Sequence, residues 1–209
     1  MKGGVNIDQW KEMLSGYLPG REAQRQMAPE YRGEADPSAY PVPAAVLILL
    51  YPSGDRTGLV FIKRNEYDGP HSAQVSFPGG DWEERDGSLV NTAMREAREE
   101  LGVDGEIVLL GRLTDLDIPV SNFRVTPFVA LTPERPVFRP DPSEVQYVIE
   151  STVEALLDPF TRKSECWNFG GQPVDVPFYS VNGEKIWGAT AMMLCEFLQL
   201  AASLPAPLR

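Results

Sequence analysis

The chain has 209 residues, 43% of them hydrophobic, which is the usual size for one globular domain with a full core. Its net charge of −11 disfavours nucleic acid and acidic membranes as partners, because both are bound through clustered Lys and Arg. The single histidine and two cysteines exclude a His-rich zinc site and most His-dependent nucleophilic arrangements, so carboxylates and Mg²⁺ or Mn²⁺ are expected instead.

Two further observations concern the compartment. The longest apolar run, at residues 42–51, is about half of the ~20 residues that span a bilayer, and we interpret it as a buried strand. No apolar stretch near Met1 resembles a signal peptide. The cytoplasm is therefore the expected location, with Cys166 and Cys195 expected as reduced core thiols.

The first predicted elements are helical. Apolar residues at helical spacing predict a helix over residues 7–14, with Asn6 as its N-cap. A further helical turn is predicted over residues 22–27, inside a segment rich in Pro and Gly. We interpret residues 1–40 as a helical extension packed on a domain formed by residues 41–209.

Strands and helices then alternate along the chain. The apolar pattern predicts strands at 42–51, 58–64, 74–77, 107–116, 124–131, 145–150 and 174–181, and helices at 88–101, 151–157 and 190–200. Pro-rich and Gly-rich turns separate many of these segments. This order implies an α+β sandwich around one core, with a mixed or antiparallel sheet.

The helix predicted at 88–101 carries three glutamates on one face. At about 100° per residue, Glu99 and Glu100 lie roughly 60° and 40° to either side of Glu96. A solvated charged face is the commoner explanation of such a pattern. However, Glu96 and Glu100 repel each other by about 0.2–0.5 kcal/mol, and the last turn of a helix favours cations. A divalent cation would turn this repulsion into ligation.

Residues 95–103 (REAREELGV), with Gly80 and Asp86 before them, resemble the Nudix box. The loop before Arg95 is one residue longer than the usual pattern, and an aspartate stands at its middle acidic position. The resemblance implies a Nudix-type α/β/α sandwich in which the box forms a loop, a helix and a second loop. It also implies that Arg95 orients the carboxylates and that the metal ligands are the Gly80 carbonyl, Glu96, Glu99 and Glu100, with Glu96 and Glu99 also acting in catalysis.

Residues 71–80 (HSAQVSFPGG) resemble the additional motif of the coenzyme A pyrophosphatase branch, although Gly69 and Ala73 depart from it. The branch implies hydrolysis of coenzyme A or acyl-CoA to phosphopantetheine and adenosine 3′,5′-bisphosphate. A Nudix hydrolase of ADP-ribose, dinucleotides or nucleoside triphosphates is the alternative. A non-catalytic Nudix-like binding module is a third class, which the intact box glutamates disfavour.

The remaining expectations concern the substrate and the base. Arg64 and Gly79 are candidate substrate-binding residues, because a guanidinium can hold a phosphate with two hydrogen bonds. The general base is Glu96, Glu99 or a downstream acid, for which Glu144 is the candidate because it precedes a strand after Pro-rich sequence. The expected partner is a small nucleotide diphosphate, and a homodimer is left open.

Overall fold

The computed structural model describes residues 6–30, 40–69 and 71–204. Its α-helices are α1 (Ile7–Ser15), α2 (Gly20–Arg25), α3 (Leu89–Leu101), α4 (Val153–Leu157) and α5 (Gly188–Ala201). The Asn6 side chain accepts a hydrogen bond from the N–H of Gln9, which confirms the predicted N-cap. Within these ranges, no helix is long and apolar enough to cross a membrane.

The main sheet has eight strands and is mixed. Its strands are β1 (Val42–Ser53), β2 (Arg56–Arg64), β3 (Val75–Ser76), β4 (Gly79–Asp81), β5 (Val108–Arg112), β6 (Leu116–Ile118), β7 (Phe123–Leu131) and β8 (Val145–Thr152). Strand β1 runs parallel to β7 and antiparallel to β2 and β4. Strands β3 and β8 pair with β2, whereas β5 and β6 pair with β7. The strands predicted at 42–51 and 58–64 form an antiparallel hairpin, β1 and β2.

Helices cover both faces of this sheet. Successive residues of β1 alternate between two cores, so that Ile48 packs in the core that contains α1 and α5, and Leu47 packs in the core that contains α3. Helix α3 contributes Ala93 and Ala97 to the second core, and their small side chains let the helix lie close to β1. The structure confirms the predicted α+β sandwich with a mixed sheet.

A second sheet has three antiparallel strands, β9 (Arg162–Phe169), β10 (Gln172–Val181) and β11 (Glu184–Trp187). Only β10 was predicted. Strand β9 is an edge strand that is almost entirely exposed, so its sequence lacks the apolar alternation that marks a half-buried strand. Cys166 lies exposed on β9 while Cys195 is buried, so the prediction of two core thiols is wrong for Cys166.

The strand predicted at 107–116 is interrupted between β5 and β6. Thr114, in the interruption, donates to the Glu196 carboxylate of α5 through its N–H at 3.2 Å and its hydroxyl at 2.8 Å. Glu196 is fully buried and also accepts hydrogen bonds from the Gly20 N–H and the Gln24 side-chain amide. Where the strand is interrupted, the Thr114 N–H bonds to a buried carboxylate and not to a neighbouring strand, and the same carboxylate joins α2 to α5.

Candidate functional site

The local signals at the two ends of α3 fix where its glutamates lie. The Ser88 side chain accepts the Asn91 N–H at 3.4 Å, and Gly102 ends the helix with a φ of 60°. A Cβ at Gly102 would lie 2.3 Å from the Arg139 carbonyl oxygen, so this position requires glycine. With its ends set and its small residues packed on β1, α3 directs Glu96 and Glu100 toward β4.

Glu100 is buried beneath the end of β4. Its side chain is 1% exposed, Oε2 accepts the Gly79 N–H at 2.8 Å, and Oε1 lies 3.4 Å from Arg64 Nη1. Burial raises the pKa of Glu100 to about 8, although the Gly79 hydrogen bond and the Arg64 charge act in the opposite direction. A nearby cation would therefore strongly favour the ionised form of this carboxylate.

Three carboxylates converge at this point. Oxygen atoms of Glu96, Glu100 and Glu144, one from each residue, lie within 4.8 Å of one another. Glu144 stands in the turn before β8, where its carbonyl accepts the Asn65 N–H at 3.1 Å. The structure thus places the predicted base beside two of the predicted metal ligands.

Gly80 lies against the same carboxylates. A Cβ on Gly80 would come within 2.5 Å of Glu96 Oε1, so any side chain here would displace that carboxylate. Burial raises the pKa of Glu96, while its hydrogen bond from Arg95 acts to lower it. The backbone of β4 and the acids of α3 therefore form one compact oxygen-rich surface.

Arg95 holds the carboxylates in place. Its Nη1 donates to Glu96 at 2.7 Å and to Glu99 at 2.9 Å, while its Nε and Nη2 donate to Asp86 at 2.8 and 3.0 Å. The hydrogen bond from Arg95 is the main reason that the pKa of Asp86 lies well below its usual range. Glu99 is half-exposed and lies outside the close group of Glu96, Glu100 and Glu144.

We expect Asp86→Asn to lower turnover by about 10–100-fold, because an amide cannot accept both Arg95 hydrogen bonds and the guanidinium would no longer orient Glu96. The change should also raise the Mg²⁺ concentration needed for half-maximal activity. Asp104→Asn is the control, because Asp104 also accepts from an arginine, Arg139, at 2.9 Å but is exposed. Equal effects of the two substitutions would contradict the orienting role of Asp86.

A cavity of about 380 Å³ adjoins the carboxylates. Arg64, Gly79 and Gly80 line it, together with Ser76 and Asp81, which the sequence pattern does not single out. Arg64 Nε and Ser76 Oγ are buried and hydrogen-bond to no described residue, so two polar atoms beside the cavity are unsatisfied. The Gly79 N–H is already donated to Glu100.

The segment between β2 and β3 forms one wall of this cavity and contains two non-glycine residues with positive φ. These are His71 at 69° and Ala73 at 54°. The His71 Nε2 lies 3.0 Å from Ser121 Oγ, and its Nδ1 lies 3.3 Å from Gln74 Oε1. His71 therefore joins the cavity wall to the turn after β6, in agreement with a structural role.

Ala73→Gly should stabilise the protein by about 0.5–1 kcal/mol, because glycine adopts the left-handed conformation without the Cβ penalty. Urea unfolding measures this change. Ala202→Gly is the matched control, since Ala202 has right-handed helical backbone (φ −61°) and should lose roughly 0.5–1 kcal/mol. A loss of stability in Ala73→Gly as well would show that its backbone is not strained.

Another cavity, of about 380 Å³, lies beside Arg135 and Arg139. The two guanidinium groups already pair with Glu150 at 2.6 Å and with Asp104 at 2.9 Å. Unlike the cavity beside β4, this one is not lined by Arg64, Gly79 or Gly80, the residues that contact the clustered acids. It is therefore not a candidate for diphosphate chemistry.

The chain matches known sequences over this region. A model of the NUDIX domain matches residues 41–166. The chain is 35% identical over 161 residues to Nudix hydrolase 22, chloroplastic, of Arabidopsis thaliana, covering 74% of this chain and 53% of the relative. It is 34% identical over 160 residues to the uncharacterized Nudix hydrolase NudL of Yersinia enterocolitica, covering 75% of this chain and 80% of that protein.

Solved structures show the same fold. A MutT/nudix family protein from Enterococcus faecalis superposes with a TM-score of 0.51 at 14% identity, covering 84% of this chain and 68% of that one. The Nudix hydrolase RenU from M. smegmatis also superposes with a TM-score of 0.51 at 14% identity, covering 80% of this chain and 91% of that one. From the family match and the curated relatives, the chain belongs to the Nudix hydrolase family, which confirms the predicted enzyme class. It spans about half of the Arabidopsis relative's length.

Proposed function

We propose that the protein hydrolyses the diphosphate linkage of coenzyme A or acyl-CoA, giving phosphopantetheine or its acyl form and adenosine 3′,5′-bisphosphate. The observation that carries the proposal is the group of three carboxylates within 4.8 Å, with Arg64 beside Glu100 at the edge of the cavity. This arrangement combines oxygen ligands for a cation with a guanidinium for a phosphate.

The residues present fit a divalent cation. The clustered groups are all carboxylates, which are the ligands that Mg²⁺ and Mn²⁺ prefer, and the burial of Glu100 leaves its charge poorly solvated without a counter-ion. Glu96 and Glu100 would hold the ion, with Glu99, Glu144 and the Gly80 carbonyl as further candidate ligands. Such an ion supplies charge neutralisation and Lewis-acid polarisation of the diphosphate.

The protein residues then have separate roles. Glu144, exposed in its turn, takes a proton from the attacking water as the oxygen of that water bonds to one phosphorus and the bridging P–O bond breaks. Arg64 contacts a phosphate oxygen with its guanidinium group, whose side chain is partly exposed at the cavity. Arg95 keeps Glu96 and Glu99 in position, and Gly79 provides a surface of β4 against which the substrate lies.

The coenzyme A assignment rests on the segment upstream of the box. His71, Gln74, Ser76 and Phe77, all within the motif at 71–80, line the cavity next to the carboxylates. The test is incubation of the full chain with coenzyme A, butyryl-CoA and Mg²⁺ or Mn²⁺, followed by chromatography of the products. Formation of adenosine 3′,5′-bisphosphate supports the proposal, and no turnover of either compound would refute it.

A related hydrolase of ADP-ribose, dinucleotides or nucleoside triphosphates is the second candidate. The observation that favours it is Gly69, which lines the cavity at a position where the coenzyme A branch predicts a basic residue. A substrate panel ranked by kcat/KM separates the two candidates. A preference for ADP-ribose over coenzyme A would support the second.

The proposal includes a cytoplasmic location, no nucleic-acid partner, and a monomer or homodimer built from a helical extension (1–40) and a Nudix domain (41–209). Packing of α1 on β5 and of α2 on α5 supports the placement of the extension. One Arabidopsis relative is named as chloroplastic and another as mitochondrial. Cell fractionation tests the location, and light scattering of the purified chain tests the oligomeric state.

A further inference from the structure

We propose that Asp81 is a specificity-determining residue that makes this site discriminate against an additional anionic group next to the scissile diphosphate. The inference rests on the proposed diphosphate hydrolysis and concerns which members of that substrate class are accepted. Asp81 ends β4, immediately after Gly80, and is one of the residues that line the cavity.

Negatively charged side chains outnumber positively charged ones among the described residues that line the cavity. Among the described lining residues, Arg64 is the only Lys or Arg, whereas Asp68 and Asp81 contribute two carboxylates. Arg64 lies beside Glu100, with its Nη1 at 3.4 Å, and is the residue proposed to contact the diphosphate, so no other Lys or Arg among the described lining residues remains for a second phosphate. A phosphomonoester on a ribose in this cavity would therefore meet like charge without a compensating cation.

The other lining groups suit an uncharged ligand. Val46, Phe123 and Met193 provide apolar surface, and Ser76 is an uncharged polar residue of the same wall. A neutral ligand can satisfy these groups without a charge to desolvate. The cavity therefore suits an uncharged base or amide group better than a second phosphate, so the 3′-phosphate of coenzyme A should lower, without abolishing, its rate of hydrolysis.

The backbone of Asp81 is fixed close to the reacting groups. Its carbonyl accepts from Arg95 Nη2 at 3.2 Å, and its strand pairs with β1 opposite Ala44. Because Gly80 touches Glu96, the Asp81 side chain begins only one residue from the carboxylate cluster. The Asp81 carboxylate can therefore repel an anionic group on the sugar next to the diphosphate.

The test uses two matched substrate pairs that differ by one ribose phosphate: coenzyme A with 3′-dephospho-CoA, and NADPH with NADH. We expect wild type to show about tenfold higher kcat/KM for the member without the extra phosphate. Asp81→Asn should narrow this preference at least about threefold, mainly by raising kcat/KM for the phosphorylated member. Glu84→Gln is the control, because Glu84 is exposed, carries the same charge and does not line the cavity.

Each other outcome counts against the inference. Equal kcat/KM within each pair in wild type, or a preference that Asp81→Asn and Glu84→Gln change equally, would overturn it. A higher Mg²⁺ requirement in Asp81→Asn with an unchanged preference would assign Asp81 to metal binding and also overturn it. Absence of hydrolysis of all four compounds would instead refute the proposed function, and the inference with it.

Discussion

Glu100→Gln is expected to lower kcat by on the order of 10²–10⁴-fold while the protein remains folded. Glutamine can still accept the Gly79 N–H through its amide oxygen, so the hydrogen bond of 2.8 Å that anchors α3 to β4 is retained. What is lost is the negative charge that would bind the cation. Steady-state kinetics with Mg²⁺ or Mn²⁺ measures the effect.

The thermal stability of this variant provides a second, independent test of the assigned metal site. Because burial raises the pKa of Glu100 to about 8, this carboxyl must take up a proton on folding at neutral pH without metal, which costs folding free energy, so Glu100→Gln should unfold at an equal or higher temperature. In wild type, Mg²⁺ should raise Tm, and this increase should be smaller in the variant. Glu12→Gln on the exposed face of α1 is the control. Unchanged kcat in Glu100→Gln would refute the assigned metal site.

Glu196→Ala is expected to destabilise the protein by about 3 kcal/mol or more, which corresponds to a decrease in Tm of roughly 6–12 °C. Its carboxylate accepts hydrogen bonds from Gly20, Gln24 and Thr114, and alanine removes this acceptor from all three residues, leaving the Gln24 amide only its hydrogen bond to the Thr114 carbonyl. Guanidinium unfolding monitored by tryptophan fluorescence measures the change.

The matched control for this prediction lies on the same helix. Gln199→Ala changes an exposed side chain of α5 and should alter stability by less than about 0.5 kcal/mol. A loss of less than about 1 kcal/mol in Glu196→Ala would show that water replaces the carboxylate and that the extension is held by apolar contacts alone. In either case activity per folded molecule should stay close to that of wild type, because Glu196 does not line the cavity beside the glutamates.

The parts of the site that depend on local rules could be predicted from the sequence. The ends of α3 follow from Ser88 and Gly102, and the spacing of Glu96 and Glu100 places both on one face. The same angular argument treats Glu99 and Glu100 alike. In the structure their burial differs, because the packing of α3 on β1 turns Glu100 into the interior and leaves Glu99 half-exposed.

The parts of the site and fold that depend on tertiary contacts were harder to predict from the sequence. The turn that carries Glu144 is held by Asn65, whose N–H donates to the Glu144 carbonyl and whose side-chain amide donates to the Pro142 carbonyl, and no sequence periodicity predicts these contacts. Asp81 and Ser76 become informative only when the cavity is known, since the sequence shows an ordinary acid and an ordinary serine. Strand β9 was not predicted for a different reason. Almost none of its side chains is buried, so its sequence shows no apolar alternation.

The buried carboxylate of α5 has a practical consequence for where the chain can be cut. The family match begins at residue 41, yet two of the groups that satisfy Glu196, Gly20 and Gln24, come before that point. A fragment that starts at residue 41 would retain the glutamate cluster and helix α3. It would leave the buried carboxylate of Glu196 without two of its hydrogen-bond donors. Recombinant work on the catalytic part of this chain should therefore keep α2, even though the family pattern does not include it.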